Sequence, residues 1–314
     1  MATTTSITTT YAGEFAGKYI SAALLSGSTL SKELITIKPN VKYKEVMKKV
    51  ASDDIVKNGT CDFTATSTLT LTERILQPEE FQVNLQLCKK DFVSDWEAIS
   101  MGYSAYSDLP SSFSDFLLAH VSSKVAQRIE TNIWAGTNAT EGQFDGFQTT
   151  LGADGDVNDV TATTVTSSNV IGQIGAVVDA IPSTVYGAED LTIYAAPNVY
   201  RAYVRALGGF ASNVGAAGTD SKGTQWFNGG ALTFDGINVE LASGMGSDKM
   251  VAAEKSNLFF GTGLLSDHNQ VKVIDMADLD GSQNVRVVMR FTAGVQYGIV
   301  DDIVTYGIIN SAND

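Results

Sequence analysis

The chain of 314 residues is 44% hydrophobic and 18% charged, enough apolar mass to bury a sizeable core in one large or two modest domains. Lysine and arginine total 21 against 35 acids, and the formal net charge of -14 argues against a protein that grips nucleic acid by neutralising phosphates. No apolar run approaches the roughly 20 residues of a membrane-spanning helix, and the opening MATTTSITTTYAGEF has neither the basic nor the apolar region of a secretory leader, so export and membrane insertion are not expected.

Taken in chain order, the first eleven residues hold six threonines and no core pattern, and they predict no structure of their own. Next, AGEFAGKYISAAL sets Ala12, Phe15, Ala16, Tyr19, Ile20, Ala23 and Leu24 on one side of a helix, with Glu14 and Lys18 paired on the other. That short amphipathic helix needs a cover for its apolar face. From Glu33 onward the period becomes strand-like. ELITIKPNVKYKEVMKKVASDDIVKNGT leads to an Asn58-Gly59 turn signal, and CDFTATSTLTLT, Cys61 to Thr72, then alternates a mixed apolar face with a threonine face. The two segments predict a protruding hairpin, since a hydroxyl face and a charged tip offer little to a core and a two-stranded ribbon is marginal alone in water. The basic cluster KYKEVMKKV, Lys42 to Val50, reads as a solvated face.

After Pro78, FQVNLQLC puts Phe81, Val83, Leu85 and Leu87 on one face and Gln82, Asn84 and Gln86 on the other, the mark of a half-buried strand. Ser111 to Trp134 carry the strongest helix signal: Leu117, Val121, Val125, Ile129 and Ile133 recur every four residues, Phe113 and Phe116 extend the stripe, and Gly136 stops it. Such a helix is about 35 Å long at 1.5 Å per residue. The second half alternates helices and strands. SSNVIGQIGAVVDAIP predicts a helix with Val170, Ile171, Ile174, Val177, Val178 and Ile181 on its apolar face; LTIYAAPNVYRAYVRALGG predicts a strand, a Pro197 helix start and a stop at Gly208. A Gly-rich loop and strands at ALTFDGINVELASG, MVAAE, NLFFGTG, VKVIDM, NVRVVMRFTAGVQYGIV and DIVTYGII complete the chain, with no internal repeat.

Catalytic equipment is sparse. His120 lies within the long helix and His268 in a polar loop, and no HExxH, CxxC, GxSxG or phosphate-loop pattern is present, so the sequence predicts no enzyme, no cofactor and no metal. Cys61 and Cys88 read as small strand residues in a reducing compartment rather than a disulfide. In DGDVND, Asp154, Asp156 and Asn158 match the first ligand spacings of a calcium loop, but Asp159 stands where glycine is required and Val165 where glutamate is; an acidic turn is the better reading. Asp301 and Asp302 read as surface charges or inter-subunit contacts.

The order of elements (an arm with a short helix, a protruding hairpin, a long helix ended by a glycine loop, an α/β lobe with a Gly-rich tip, and a long last strand) resembles the major capsid proteins of tailed double-stranded DNA bacteriophages, whose fold is called Hong Kong 97-like. FLLAHVSSKVAQRIETNIWAG followed by FDGF looks like the family's spine helix and the loop after it, and LTFDGINVELASGM like its hairpin ending near a methionine. NLFFGTGLLSDHNQVKVIDM and VRVVMRFTAGVQYGIVDDIVTYG look like its closing strands. More narrowly, LTLTERILQPEEFQVNLQLCKKDFVSDWEA is similar to capsid proteins of crAss-like phages that infect Bacteroidetes.

The resemblance implies an α+β capsid fold with an N-terminal arm at 1-33, an extended β-hairpin loop at 34-76, a peripheral domain at 77-160 and 276-314 whose spine helix occupies about 111-135, and an axial α/β domain at 161-275 with a tip loop at 208-230. It implies a shell protein that assembles as hexamers and pentamers around double-stranded DNA that it does not bind specifically. Its partners would be a portal and scaffolding or decoration proteins, any scaffold being a separate chain, with no membrane; its place would be the virion, and the host cytoplasm during assembly. The subunit-interface candidates are Phe15, Tyr19, Ile20 and Leu24 of the arm, Lys48, Lys49 and Lys57 of the hairpin, and its threonines Thr64, Thr66, Thr68 and Thr70. Lys57 and Asn284 occupy elements loosely suited to the lysine-asparagine crosslink of some members, and no crosslink is inferred. The alternative within the same fold is the shell of a cellular encapsulin-type nanocompartment; a surface-layer or adhesin reading lacks its signal peptide.

The arm gives the first test. A chain beginning at Ser26 is expected to stay soluble and folded by circular dichroism but to sediment as small oligomers where the full chain forms shells, because each large apolar side chain of the arm buried between subunits is worth about 1.5-3 kcal/mol and is lost with it. Shells of normal stability from the shortened chain, or its failure to fold at all, would refute an inter-subunit role for the arm.

Overall fold

The computed structural model describes residues 28-52, 56-59, 61, 65, 69-88, 111-207, 232-263 and 271-308. The chain divides into two compact units, and the long helix and the last long strand each contribute a stretch to both. The larger unit contains Gly27-Glu79, Ile129-Leu264 and Thr292-Asp314; the described part of the smaller lies in Glu80-Arg128 and Leu265-Phe291.

In the smaller unit the predicted alternation after Pro78 forms β4 (Glu79-Cys88), where Phe81, Val83, Leu85 and Leu87 are half-buried and Gln82, Asn84 and Gln86 exposed. β4 pairs with β12 (Asn284-Tyr297), and β11 (Val271-Asp275) pairs antiparallel with β12, setting Val273 opposite Val287. The predicted long helix is α2 (Ser111-Ala135). Its Val121 packs with Val287 among Val83, Leu85, Leu87, Val125 and Val273, so the stripe covers the apolar face of this sheet. Phe81 and Phe291 stack at 5.6 Å between ring centroids, and Arg286 donates to Gln86 at 3.0 Å on the polar side.

The core of the larger unit is a six-stranded sheet. In spatial order it runs β5 (Asn158-Val160), β13 (Val304-Tyr306), β9 (Met250-Glu254), β6 (Leu191-Ala195), β8 (Ile237-Leu241) and β7 (Leu232-Phe234). Every residue of β6 is buried, which explains why LTIYA is apolar or small without alternation: a strand covered on both faces has no solvent side to mark. The helices α4 (Val170-Asp179) and α5 (Pro197-Leu207) pack together, α4 also meeting β13 and α5 meeting β8. On α4 the buried positions are Val170, Ile174, Val177 and Val178; Ile171, placed by periodicity on that face, is instead 51% exposed, because the stripe drifts one residue off the contact line. Asp235 and Gly236, both at positive φ, make the tight turn that joins β7 to β8, the conformation that an Asp-Gly pair favours between paired strands.

The other sheet of this unit sets β1 (Thr36-Lys38) parallel to β10 (Leu258-Gly261), which pairs antiparallel with the end of β12. Where α2 ends, Trp134 is fully buried between Phe147 of α3 (Phe147-Gly152), at 5.5 Å between centroids, and Tyr194 of β6, at 5.0 Å. Its indole N-H donates to the Thr29 hydroxyl at 2.9 Å. Thr29 in turn donates through its hydroxyl and backbone N-H to the buried Glu130 carboxylate, at 2.6 and 3.1 Å, and Ser243 donates to the same carboxylate at 3.2 Å. The segment α1 (Ser28-Ser31) is thereby tied to α2 and to the loop after β8 by bonds that satisfy every buried polar atom they involve. Among the described residues no helix is long and apolar enough to cross a membrane.

Trp134→Ala is expected to cost about 3-5 kcal/mol in denaturant unfolding of the protomer, by removing two ring contacts and the donor to the Thr29 hydroxyl oxygen. A loss below about 1 kcal/mol would mean that this junction carries little of the stability.

Candidate assembly interface

The predicted hairpin forms, with a different outline. β2 (Glu45-Ser52) and β3 (Leu69-Leu76) pair only with each other, in a register that sets Val46 opposite Ile75, Met47 opposite Arg74 and Lys48 opposite Glu73. Of the strand expected over Cys61 to Thr72, the part from Leu69 is present; Cys61 and Ala65 are exposed and outside it, and residues 62-64 and 66-68 lie outside the described ones. Neither Asn58 nor Gly59 has the positive φ of a two-residue hairpin turn; the described ladder ends at Ser52 and Leu69, and residues 53-68 form the connection. The described residues of that connection, Val56 to Gly59 with Cys61 and Ala65, are all exposed, and Val56 is 87% exposed.

Two side chains that the sequence reading did not single out define the ribbon's surface. Val46 and Ile75 sit directly across from each other and are 46% and 47% exposed, an apolar cross-strand pair with its outer side bare. Their signal was in the sequence, since VxK on β2 and ERI on β3 place apolar residues amid charge, but the pairing depends on register and register is invisible until the connection length is known.

The root is anchored firmly. Gly261 and Gly294 are register partners on β10 and β12, and the chain leaving the ribbon crosses them: a Cβ at Gly261 would lie 2.9 Å from Leu76 Cδ2, and one at Gly294 2.9 Å from Pro78 Cα. The two glycines make a furrow that lets Leu76 bury completely. Beside it, Arg74 reaches Asp154 Oδ2 at 2.6 Å and lies over the Tyr297 ring at 4.3 Å, while the Tyr297 hydroxyl donates to the same carboxylate at 2.7 Å. The amide of Gln296 donates to the Ile75 carbonyl at 3.1 Å, and Lys38 pairs with Glu45 at 2.9 Å. Partial burial would raise the Asp154 pKa, but the hydrogen bonds from Tyr297 and Arg74 outweigh it and hold the carboxyl below its ordinary value; burial and the Asp154 bond push Tyr297 up. DGDVND thus supplies a clamp for the ribbon. Its Asp154 is committed to Arg74 and Tyr297, and Asn158 donates to the Asp301 carbonyl at 2.7 Å, an arrangement unlike a calcium loop.

Of the sequence candidates, Lys48 is exposed on β2 and 3.9 Å from Glu73, and Lys57 is exposed in the connection. Lys49 and Thr70 occupy register positions opposite Thr72 and Ala51, respectively. Phe15, Tyr19, Ile20, Leu24, Thr64, Thr66 and Thr68 lie outside the described residues. A groove of ≈ 720 Å³ beside the root is lined by Lys38, Lys48, Glu73 and Arg74 facing Asp156, Glu254 and Asp301. It mixes both signs of charge without a nucleophile-base pair, and among the described residues no cluster of His, Cys, Asp and Glu could hold a metal.

No family model matches this sequence, and no match was found among curated proteins. Solved structures do match it. The capsid of a native GTA particle shares 14% identity over 96% of this chain and 94% of that one, with a TM-score of 0.59. The capsid of Myoviridae Phage XM1 shares 12% identity over 90% and 92%, at 0.58. A chain in the structure of Mycobacterium phage Ogopogo shares 13% over 89% and 91%, also at 0.58. The protein therefore has the mixed helix and sheet fold of these capsid chains along nearly its whole length.

The clamp predicts a pH dependence with a definite sign. Because the folded state depresses the Asp154 pKa, its stabilisation is present above the ordinary carboxyl value of 3.8 and is lost as pH falls from there through the folded value. Asp154→Asn is expected to destabilise the protomer by about 1-2 kcal/mol at neutral pH, and the gap between variant and parent in unfolding titrations should close as pH drops below the ordinary carboxyl value. A gap that stayed constant down to that acid limit would assign the loss to packing rather than to the charge.

Proposed function

We propose that this chain is a major capsid protein, assembling as hexamers and pentamers into an icosahedral head shell that encloses a phage's double-stranded DNA. The observation that carries this reading is a fold shared with capsid chains over 96% of this chain and 94% of the GTA capsid chain. The ribbon supports it independently: a two-stranded sheet with a half-exposed apolar pair is marginal unless another surface covers it. We further read the ribbon as the extended loop of the Hong Kong 97-like fold, α2 as its spine helix, and the six-stranded lobe as its axial domain, in a protein of tailed phages whose segment LTLTERILQPEEFQVNLQLC favours the crAss-like group. Its partners in this reading are further copies of itself, a portal, and scaffolding or decoration proteins. It resides in the virion after assembly in the host cytoplasm. The net charge of -14 fits a container whose contents must slide during packaging: the wall repels the duplex rather than holding it.

Electron microscopy of the purified protein tests the reading directly, closed isometric shells being the expected outcome and a discrete monomer that turns over a substrate the opposing one. The ribbon's part is tested by Lys48→Glu with Lys49→Glu and Lys57→Glu. Exposed charge changes alter folding by only about 0.5 kcal/mol each, so the protomer's circular dichroism and melting should be unchanged while shell closure fails. A large loss of protomer stability would instead place these lysines in contacts within their own chain.

A further inference from the structure

We propose that Asn58-Gly59 is a site of spontaneous deamidation, at which water converts the asparagine to a mixture of aspartate and isoaspartate. The chemistry needs a backbone nitrogen able to approach its neighbour's side-chain amide. The Gly59 nitrogen attacks Asn58 Cγ, the Cγ-Nδ2 bond breaks and ammonia leaves, closing a five-membered succinimide. Water then opens the ring at one of its two carbonyls, restoring the normal linkage with an aspartate side chain or diverting the backbone through the side chain as isoaspartate. No oxidation state changes, and water is the co-reactant.

The structure meets the requirement here and opposes it elsewhere. Asn58 and Gly59 are exposed and outside any strand, so neither nitrogen nor side chain is held in a ladder. A Cβ placed on Gly59 would meet nothing within 4 Å, leaving the succinimide geometry sterically open. Among the described residues this is the one asparagine followed by glycine. Asn40 precedes the β-branched Val41, whose side chain obstructs attack by its own nitrogen. Asn138 is exposed, but its amide donates to Glu79 at 2.6 Å; Asn158 and Asn198 donate to the Asp301 carbonyl and the Asp248 carboxylate at 2.7 and 2.8 Å. The consequence is electrostatic: each event adds a carboxylate next to Lys57 in the connection between β2 and β3, and in the isoaspartyl form also lengthens the backbone there.

The test uses the purified full chain, held at mildly alkaline pH and sampled over time, with digestion at acid pH and peptide mapping by mass spectrometry. Position 58 should lose its amide roughly tenfold faster than Asn40 or Asn138, a ratio equivalent to about 1.4 kcal/mol in the barrier, and both aspartate and isoaspartate should appear. Gly59→Val, which the open surroundings of Gly59 tolerate, should slow the loss by a similar factor with unchanged circular dichroism. The proposal is overturned if Asn58 keeps its amide as long as Asn40 and Asn138 do, if Gly59→Val leaves the rate as it was, or if aspartate forms without isoaspartate, which would indicate direct hydrolysis.

Discussion

The buried indole of Trp134 sets the terms for the larger unit. It meets the rings of Phe147 and Tyr194, and its single polar atom is satisfied by Thr29, which also supplies two of the donors to the Glu130 carboxylate, Ser243 supplying another. A buried carboxylate without partners would cost several kcal/mol, so Thr29, Ser243 and the end of α2 have to arrive together. That requirement fixes where the chain enters at α1 and where the six-stranded sheet lies against the helix end, the Tyr194 hydroxyl tying the sheet to the Leu34 carbonyl. From Leu34 the chain passes directly into β1 and then to the ribbon, so the ribbon's starting point is set by the same junction.

The ribbon then leaves through a gap built by small residues and a charge. Gly261 and Gly294 remove side chains where Leu76 and Pro78 must pass, and Arg74 trades a solvated position for Asp154 and the face of Tyr297. Fixing the root and leaving the far end bare divides the energetics of one element in two. At the root Leu76 is fully buried; at Val46 and Ile75 the ribbon is half open, and the described residues from Val56 to Ala65 are all exposed. An element held at one end with fixed direction loses little further entropy when its free part meets a partner, which favours association over a limp loop of the same length.

Elements that one chain completes by itself were legible in the sequence. α2 announced itself through its four-residue stripe and β4 through its strict alternation, because each has one buried and one open face and the contrast is written into residue type. Ile171 was misplaced because periodicity locates a face to within about one residue of its edge. The threonine alternation around Cys61 runs into β3 from Leu69 onward, and its residues 62-64 and 66-68 lie outside the described ones. The clamp was out of reach for a further reason: Arg74, Asp154 and Tyr297 are far apart in the chain, and an acidic turn looks the same whether its carboxylate meets calcium, water or an arginine.

Charge connects the ribbon to the rest of the molecule. Lys38, Lys42, Lys44, Lys48, Lys49, Lys57 and Arg74 all fall between β1 and the end of β3, a third of the chain's 21 basic residues in a small fraction of its length. The remainder is correspondingly acidic, and identical acidic bodies repel one another at a distance. A lysine-rich element that extends from such a body changes the balance at close range, because it brings positive charge to whatever acidic surface it meets, while the bare pair at Val46 and Ile75 supplies attraction that salt does not screen. In the shell proposed above, repulsion between bodies and attraction through ribbons would favour contacts in the one orientation where ribbon meets body over random aggregation. The same separation of sign that keeps free copies apart would then select the geometry in which they join.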